Sequence, residues 1–479
     1  MGISKPDRHG VESTGALWLV VLCWLLALTP LLAQRQMENL GRGVVASRTG
    51  SNAVYVSWRL LGHEPADIGF NIYRSRDGGS PVKLNANPIT LTTDYRDTSA
   101  GFPQSVAYHV RAIEGGVDGA PSASFTLPGN APTRQFIPVP MDKPADGVTP
   151  PGDAYSYLIN DISVGDVTGD GEYEFIVRWD PSNAKDNSQS GYTGNVYLDA
   201  YTITGTRLWR IDLGRNIRAG AHYTQFIVYD LDGDGIAEIS CKTAPGTIDG
   251  LGNPVLLAGH NVNADYRNSG GYILSGPEYL TVFNGVTGAA MATVPYIVPR
   301  HPTTENPSGS QLNSVWGDSY GNRVDRFLAG VAYLDGQRPS LILSRGYYTR
   351  TAIAAWDWRN GQLTMRWLFD THGNSSLNGY RGQGNHQLAI ADVDADGRDE
   401  IVFGAMTVDD NGSGLYTTGL GHGDALHVSD FDPTGPGWKC SARWNRPGPM
   451  AGSARHSGTR RPARSSGPRR PPRTSAAAR

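Results

Sequence analysis

"DVDADGRDE", residues 392–400, sits between two apolar stretches, with carboxylates at alternate positions and a glycine near its centre. Nearly the same turn stands earlier as "DVTGDGEYE" at 166–174 and "DLDGDGIAE" at 230–238. Each copy joins two short strand-like runs: "DISVG" to "FIVRW", "QFIVY" to "ISCK", and "LAIA" to "IVFGA". Two degenerate copies keep the frame, "GVAYLDGQRPSLIL" around Asp335 and "HVSDFDP" around Asp430. Strand, turn and strand recurring at something near a blade-sized interval predict an all-β chain with the repeats of a β-propeller. The outer strands of such blades are visible in "LTVFNGVTG" and "AIAAWDWRNGQL".

The turn has a chemistry of its own. Asp392, Asp394, Asp396 and Glu400 present carboxylates to the inside of one bend, and Gly397 lets the backbone turn sharply. Asp166, Thr168, Asp170 and Glu174 repeat the pattern, as do Asp230, Asp232, Asp234 and Glu238. Hard oxygen ligands in this number suit Ca²⁺. The closing acid comes at the ninth position and the flanks are strands, so this is not an EF-hand. A solvated acidic turn is the plainer alternative, but like charges this close repel without a cation. Three copies favour calcium, in a structural role that pins each hairpin.

Chemistry is expected at the opposite end of the blades. The residues six positions before the first Asp of each turn are Asn160, Thr224, His386 and, from Asp430, Asp424. Their neighbours include Asp161, His222, Asn385 and His422. "GYRGQGNHQ" and "TTGLGHGDALH" both place glycines just before a histidine. A single histidine is more often structural. Two of them beside Asp424 favour a metal or substrate site.

The chain has 479 residues, enough for two or three domains. Sixty glycines, 31 prolines and 9 % aromatics fit short strands joined by tight turns. A net charge of −3 gives no electrostatic case for nucleic acid. Lys5 and Arg8 precede "ALWLVVLCWLLALTPLLA", ending at Ala33, which reads as a signal peptide over 1–33 and a secreted, extracellular protein. Thr29 and Pro30 interrupt the run and argue against a stable membrane anchor. Cys23 follows Leu22 where lipidation would want a small residue. Cys23, Cys241 and Cys440 offer no disulfide framework. Residues 38–130, with "NAVYVSWRL", "IGFNIYRS" and "SVAYHVRAIE", read as a small fibronectin type III-like β-sandwich, and residues 135–438 as the propeller blades. Residues 439–479 lack acids and periodicity and read as a disordered basic tail. A slipped reading frame also fits: codons for Gly-Glu-Val-Leu-Trp, shifted by one base, can read as Ala463–Gly467. On either reading the ring is expected to lack its last blades.

"RWDPSNAKDNSQSGYTGNVYLDAY", "LWRIDLGRNIRAGAHYTQF", "GYILSGPEYLTVFNG", "GNRVDRFLAGVAYLDGQRPSL" and the stretch from "GYRGQGNHQ" to "HVSDFDP" resemble the rhamnogalacturonan lyases of polysaccharide lyase family 11. The resemblance runs from about Glu38 to Trp438. It implies an eight-bladed, calcium-bearing propeller preceded by a small β domain. It also implies secreted action on rhamnogalacturonan I, by β-elimination at the rhamnosyl-(1→4)-galacturonate bond. The C5 proton is hardly acidic beside a charged carboxylate, so a cation and a positioned base are needed. By resemblance, His386 and His422 match the family's histidines in the catalytic calcium region, with Asp424 beside them. The base stays open among Lys242, Arg345, Arg381 and the histidines, each equally a carboxylate clamp. Asn160, Asp161, Tyr192, His222 and Asn385 are candidate sugar contacts, and a monomer is expected. The alternatives are a non-catalytic glycan-binding or adhesion propeller, and an inactive, truncated lyase.

Overall fold

The computed structural model describes Gly2, residues 35–431, and the strands Lys439–Trp444 and Ser453–Ser457. The expected signal segment otherwise lies outside the described residues, as do residues 458–479. The fold is all-β, as the sequence implies. The exceptions among the described residues are short: the helix Gly309–Trp316 and a 3₁₀ turn at Ser375–Tyr380.

Residues 45–127 form two antiparallel sheets. Val45–Arg48, Val54–Ser57 and Asp94–Asp97 make one; Gly69–Arg76, Val82–Lys83, Val106–Glu114, Val117–Asp118 and Phe125–Leu127 make the other. Alternation sets the inner face: Val54 and Val56 are fully buried, whereas Tyr55 between them is exposed. They pack with Trp58 against Phe70, Ile72, Tyr108 and Val110. One ion pair is sealed inside, with Arg74 donating to Asp97 at 2.5 Å and the Tyr108 hydroxyl donating to the same carboxylate at 2.8 Å.

From Tyr157 the chain repeats one unit, four antiparallel strands taken in chain order. The first sheet is Tyr157–Gly165, Glu174–Pro181, Tyr197–Tyr201 and Arg207–Asp212. The second is Phe226–Tyr229, Glu238–Thr243, Tyr279–Phe283 and Ala290–Pro295. The third is Phe327–Ala332, Ser340–Arg345, Ala352–Arg359 and Gln362–Asp370. The fourth is Ala389–Ala391, Glu400–Phe403, Met406–Val408 and Gly414–Thr417. A fifth sheet has three strands, Gly423–Ser429, Lys439–Trp444 and Ser453–Ser457. A structureless tail was expected from residue 439. The two last strands correct that, because an open sheet edge supplies backbone hydrogen bonds to an extended segment whatever its side chains.

First strands of successive sheets lie against one another, and each gap between sheets has its own apolar filling. Ile176, Leu198 and Ile211 meet Ile239, Cys241 and Phe283 between the first two sheets. Leu280 and Val282 meet Leu341, Leu343 and Trp356 in the next gap, closed by Leu312, Val315 and Trp316 of the helix. Ile342 faces the other way, with Ile353 and Phe369, onto Ile401, Phe403 and Met406. Val402 then points at Leu426 of the fifth sheet. Second strands are therefore buried on both faces, which is why "SLILS" shows no polar alternation. Gly165 lets the first two sheets close: a Cβ there would meet Val228 Cγ1 at 2.6 Å.

Candidate active site

The acidic turns join first to second strands in the first, second and fourth sheets. Their leading Asp folds the loop by accepting backbone N–H groups: Asp166 from Gly169 at 2.7 Å, Asp230 from Gly233 at 2.7 Å, Asp392 from Gly397 at 3.0 Å. Glycine relieves the backbone where φ is positive, as at Gly171, Gly235 and Gly397. The closing Glu of each accepts one N–H, from Val167, Leu231 or Val393, at 3.1, 2.8 and 2.6 Å. Carboxylate oxygens of Asp230, Asp232 and Asp234 come within 4.8 Å of one another, as do those of Asp392, Asp394 and Glu400. The first turn has Thr168 where the others have an acid, and no such triple of acids is found there among the described residues.

These donors fit a hard cation. Burial, reinforced by neighbouring carboxylates and only partly offset by one N–H each, pushes the carboxyls of Glu174, Glu238 and Glu400 up to about 7, 8 and 8. Glu400 Oε1 is buried without any hydrogen-bond donor. A divalent ion would remove both penalties.

At the other end, the starts of the first strands converge. His222 precedes the second sheet, Arg326 the third, His386 the fourth and His422 the fifth, where Asp424 lies in the strand itself. His386 Nε2 and His422 Nε2 stand 3.8 and 3.9 Å from Asp424 Oδ1. The Gly384 carbonyl accepts from His422 Nδ1 at 2.8 Å when that nitrogen carries the proton, which leaves Nε2 as a buried, unpartnered lone pair facing Asp424. The rings of His386 and His422 are 4.9 Å apart, and His222 lies 5.5 Å from His386. Four residues flank them that the sequence reading missed. Tyr347 Oη is 2.9 Å from His386 Nδ1, and Tyr348 Oη is 3.4 Å from Nε2. Arg326 donates to Tyr347 Oη at 3.3 Å and lies 3.7 Å from Asp186, whose other oxygen is 3.9 Å from His222. The missed signal was positional: Arg326 stands where neighbouring repeats carry histidine, but the degenerate turn at Asp335 throws the six-residue count onto Ala329.

Burial, with Arg326 and the neighbouring imidazoles adding to it, pushes His222 and His422 down to about 4, and His386 also downward. The cluster therefore holds neutral imidazoles beside one guanidinium. Two nitrogens and a carboxylate oxygen could hold a divalent ion, though the set is softer than the acidic turns.

Asn160 and Asp161 sit in a bulge of the first strand and are exposed. Arg178 pairs with Asp161 at 2.8 Å and donates to the Thr224 carbonyl at 2.7 Å, tying them to the His222 segment. Tyr192 is half-buried, with Arg267 over its ring at 5.3 Å. Arg381 is exposed and donates to the Thr371 carbonyl at 3.4 Å. Three expectations are corrected. Lys242 and Arg345 are sealed inside, pairing with Glu278 at 2.8 and 2.7 Å alongside Arg300 and Asp325, so neither is free to act as base or clamp. Asn385 is fully buried and bridges by backbone to Gly423, holding the two histidine loops together instead of touching a sugar.

Residues 136–457 match the family model described as rhamnogalacturonan lyase family 11, C-terminal domain, and residues 35–127 match that of the rhamnogalacturonan I lyases beta-sheet domain. The chain is 53 % identical over 427 residues to rhamnogalacturonan endolyase YesW of Bacillus subtilis, covering 88 % of this chain and 64 % of that protein. It is also 53 % identical over 404 residues to rhamnogalacturonan exolyase YesX of the same organism, covering 84 % and 62 %. The crystal structure of YesW superposes with a TM-score of 0.79 at 52 % identity, over 89 % of this chain and 68 % of that one. A Bacillus licheniformis rhamnogalacturonan lyase matches at 0.79 and 53 %, with the same coverage. The chain thus spans a little under two thirds of the length of its curated relatives. The class these matches define is that of the polysaccharide lyases. Within it, the chain belongs to rhamnogalacturonan lyase family 11.

Proposed function

We propose that the chain is a secreted, calcium-dependent lyase that cleaves rhamnosyl-(1→4)-galacturonate bonds of rhamnogalacturonan I by β-elimination. The observation that carries this reading is the convergence of Arg326, three neutral histidines and Asp424 at one pole of five successive sheets. In the same reading those sheets are blades of a β-propeller, and residues 38–130 form the fibronectin type III-like module ahead of them. Secretion is supported by the basic, then apolar, leader ending at Ala33.

Asp230, Asp232, Asp234 and Glu238, with their counterparts in the other turns, would hold structural Ca²⁺; His386, His422 and Asp424 would hold a divalent ion at the pole. When bound there, that ion would neutralise the galacturonate carboxylate and make the C5 proton more acidic. Arg326 is placed to pair with the same carboxylate and orient the ring. His222, neutral and facing Asp186, takes the C5 proton. The C5–H electrons form the C4–C5 double bond, the C4–O4 bond breaks towards the rhamnosyl side, and the leaving oxygen is protonated by Tyr348 or water. Asn160 and Asp161, tied to the His222 segment through Arg178, serve as sugar contacts.

Incubation of the purified chain with rhamnogalacturonan I should raise the ultraviolet absorbance of the unsaturated uronate, and EDTA should abolish the rise. A folded chain that binds the polysaccharide yet never produces that absorbance would overturn the lyase reading and leave a binding protein.

A further inference from the structure

The third acidic turn differs from the others in what faces it. The hairpin between the third and fourth strands of its sheet reads "DDNGSG" at 409–414, where the first sheet has "TITGT" at 202–206 and the second "NGVTG" at 284–288. Asp409 is half-buried and Asp410 buried. Carboxylate oxygens of Glu400, Asp409 and Asp410 lie within 4.8 Å of one another, just as those of Asp392, Asp394 and Glu400 do. Glu400 belongs to both groups. Its side chain is wholly buried, and its Oε1 has no hydrogen-bond donor. Arg398 donates to Asp410 at 2.9 Å and so compensates that acid. Asp409 receives hydrogen bonds from its own hairpin: the Asp410 N–H at 3.1 Å, Asn411 Nδ2 at 2.7 Å and Ser413 Oγ at 3.4 Å.

We infer that Asp409 is a further ligand of the third turn's cation site, delivered from the neighbouring hairpin, so that Asp392, Asp394, Glu400 and Asp409 together bind Ca²⁺ more tightly than the second turn does. The inference rests on reading the turns as calcium sites and adds a ligand that the turn motif does not contain. One more anionic oxygen on a hard cation raises affinity, and a ligand from a second hairpin fastens the outer strands of the sheet to its inner pair.

The site has its own optical reporter. Trp367 Nε1 donates to the Asp410 carbonyl at 2.8 Å, so an ion held there lies close to an indole able to sensitise terbium emission. Calorimetric titration of the metal-stripped full chain with Ca²⁺ should show one class of site that Asp409→Asn weakens about tenfold without changing the number of ions bound. Terbium emission excited through tryptophan should fall severalfold in Trp367→Phe at the first equivalent of Tb³⁺. If Asp409→Asn leaves every affinity unchanged while Asp392→Asn removes one ion, the role of Asp409 is overturned and the calcium turns stand. If neither the wild type nor any turn variant takes up Ca²⁺, the calcium reading itself fails. Should Asp409→Asn not fold, undiminished emission from Trp367→Phe would overturn the inference independently.

Discussion

Arg326 is the only cation that the described structure brings into contact with both Tyr347 and Asp186 at the histidine pole, by one hydrogen bond and one ion pair. Removing it should lower kcat/KM for rhamnogalacturonan I about a hundredfold in Arg326→Ala, with Arg326→Lys recovering part, because a carboxylate clamp is lost where charge must be held. Arg326 is buried and also donates to the Asn322 carbonyl at 2.8 Å, so Arg326→Ala should melt somewhat lower and Arg326→Lys less so. An activity loss under threefold in a chain that is still folded at the assay temperature would dismiss the clamp. The histidines carry a pH signature. Burial disfavours imidazolium, so His222 and His422 stay neutral until about pH 4. The acid limb of kcat/KM should therefore fall near 4 instead of about 6.5, the ordinary histidine value. A limb near 6.5 that survives in His222→Gln would show that His222 is not the group that must stay unprotonated, and one that disappears there would show that burial does not lower its pKa. A different residue tests the turn backbone. Ala395 holds φ at +64°, where the first and second turns place Gly169 and Gly233. Ala395→Gly should stabilise the chain by about 0.5–1 kcal/mol in urea unfolding, the cost of a left-handed alanine less the entropy of glycine.

At the scale of the element, second strands are the interior of the series, and the buried cations they carry are paired with carboxylates. Lys242 lies one residue before the end of one such strand and Arg345 ends another, and both meet Glu278 with Arg300 close by at 3.0 Å. Burial alone would push the Glu278 carboxyl up, but the three cations hold it well below the usual carboxylate range. Glu278→Gln leaves those cations facing only Asp325, and should cost about 3–5 kcal/mol in equilibrium unfolding. A cost below about 1 kcal/mol would mean that water reaches the cluster. The degenerate turn of the third sheet follows the same electrostatic rule. Asp335 lacks companion acids, and Arg338 donates to it at 3.2 Å where the other turns leave acids clustered.

Over the whole molecule, the N-terminal sheets dock at the acidic-turn end, away from the histidine pole. Gly41 N–H donates to the Gly171 carbonyl at 2.6 Å, and Arg59 lies over Tyr173 at 4.3 Å. The series of sheets has one conspicuous face. In the first strand of the first sheet, Leu158 is 64 % exposed and Ile162 48 %, with Ile159 and Val164 also exposed. Equivalent strands in later sheets are covered by the sheet before them. An apolar stripe of this kind promotes association. If the stripe is adhesive, the wild-type chain should show concentration-dependent sedimentation, and Leu158→Lys with Ile162→Lys should abolish that dependence with no loss in melting temperature. An unchanged sedimentation profile would show that the stripe is not the adhesive surface.

By itself the sequence determined the all-β class, the three acidic turns, and the pairing of His386 with His422 beside Asp424. The first two are short-range patterns, alternation and a nine-residue turn, legible because neighbours in sequence are neighbours in space. The histidine pair, distant in sequence, was legible through the repeat, which sets each histidine at a similar place ahead of its own turn. Tertiary structure alone decided the rest. Arg326, Tyr347, Tyr348 and Asp186 reach the pole from other sheets, and no local spacing joins them. In the sequence Lys242 and Arg345 stood among the candidates for base or carboxylate clamp. Packing of one sheet on the next buried them against Glu278, on a loop far away in sequence. Local pattern sets which face of a strand is apolar; only the neighbouring sheet decides whether the polar face stays in water.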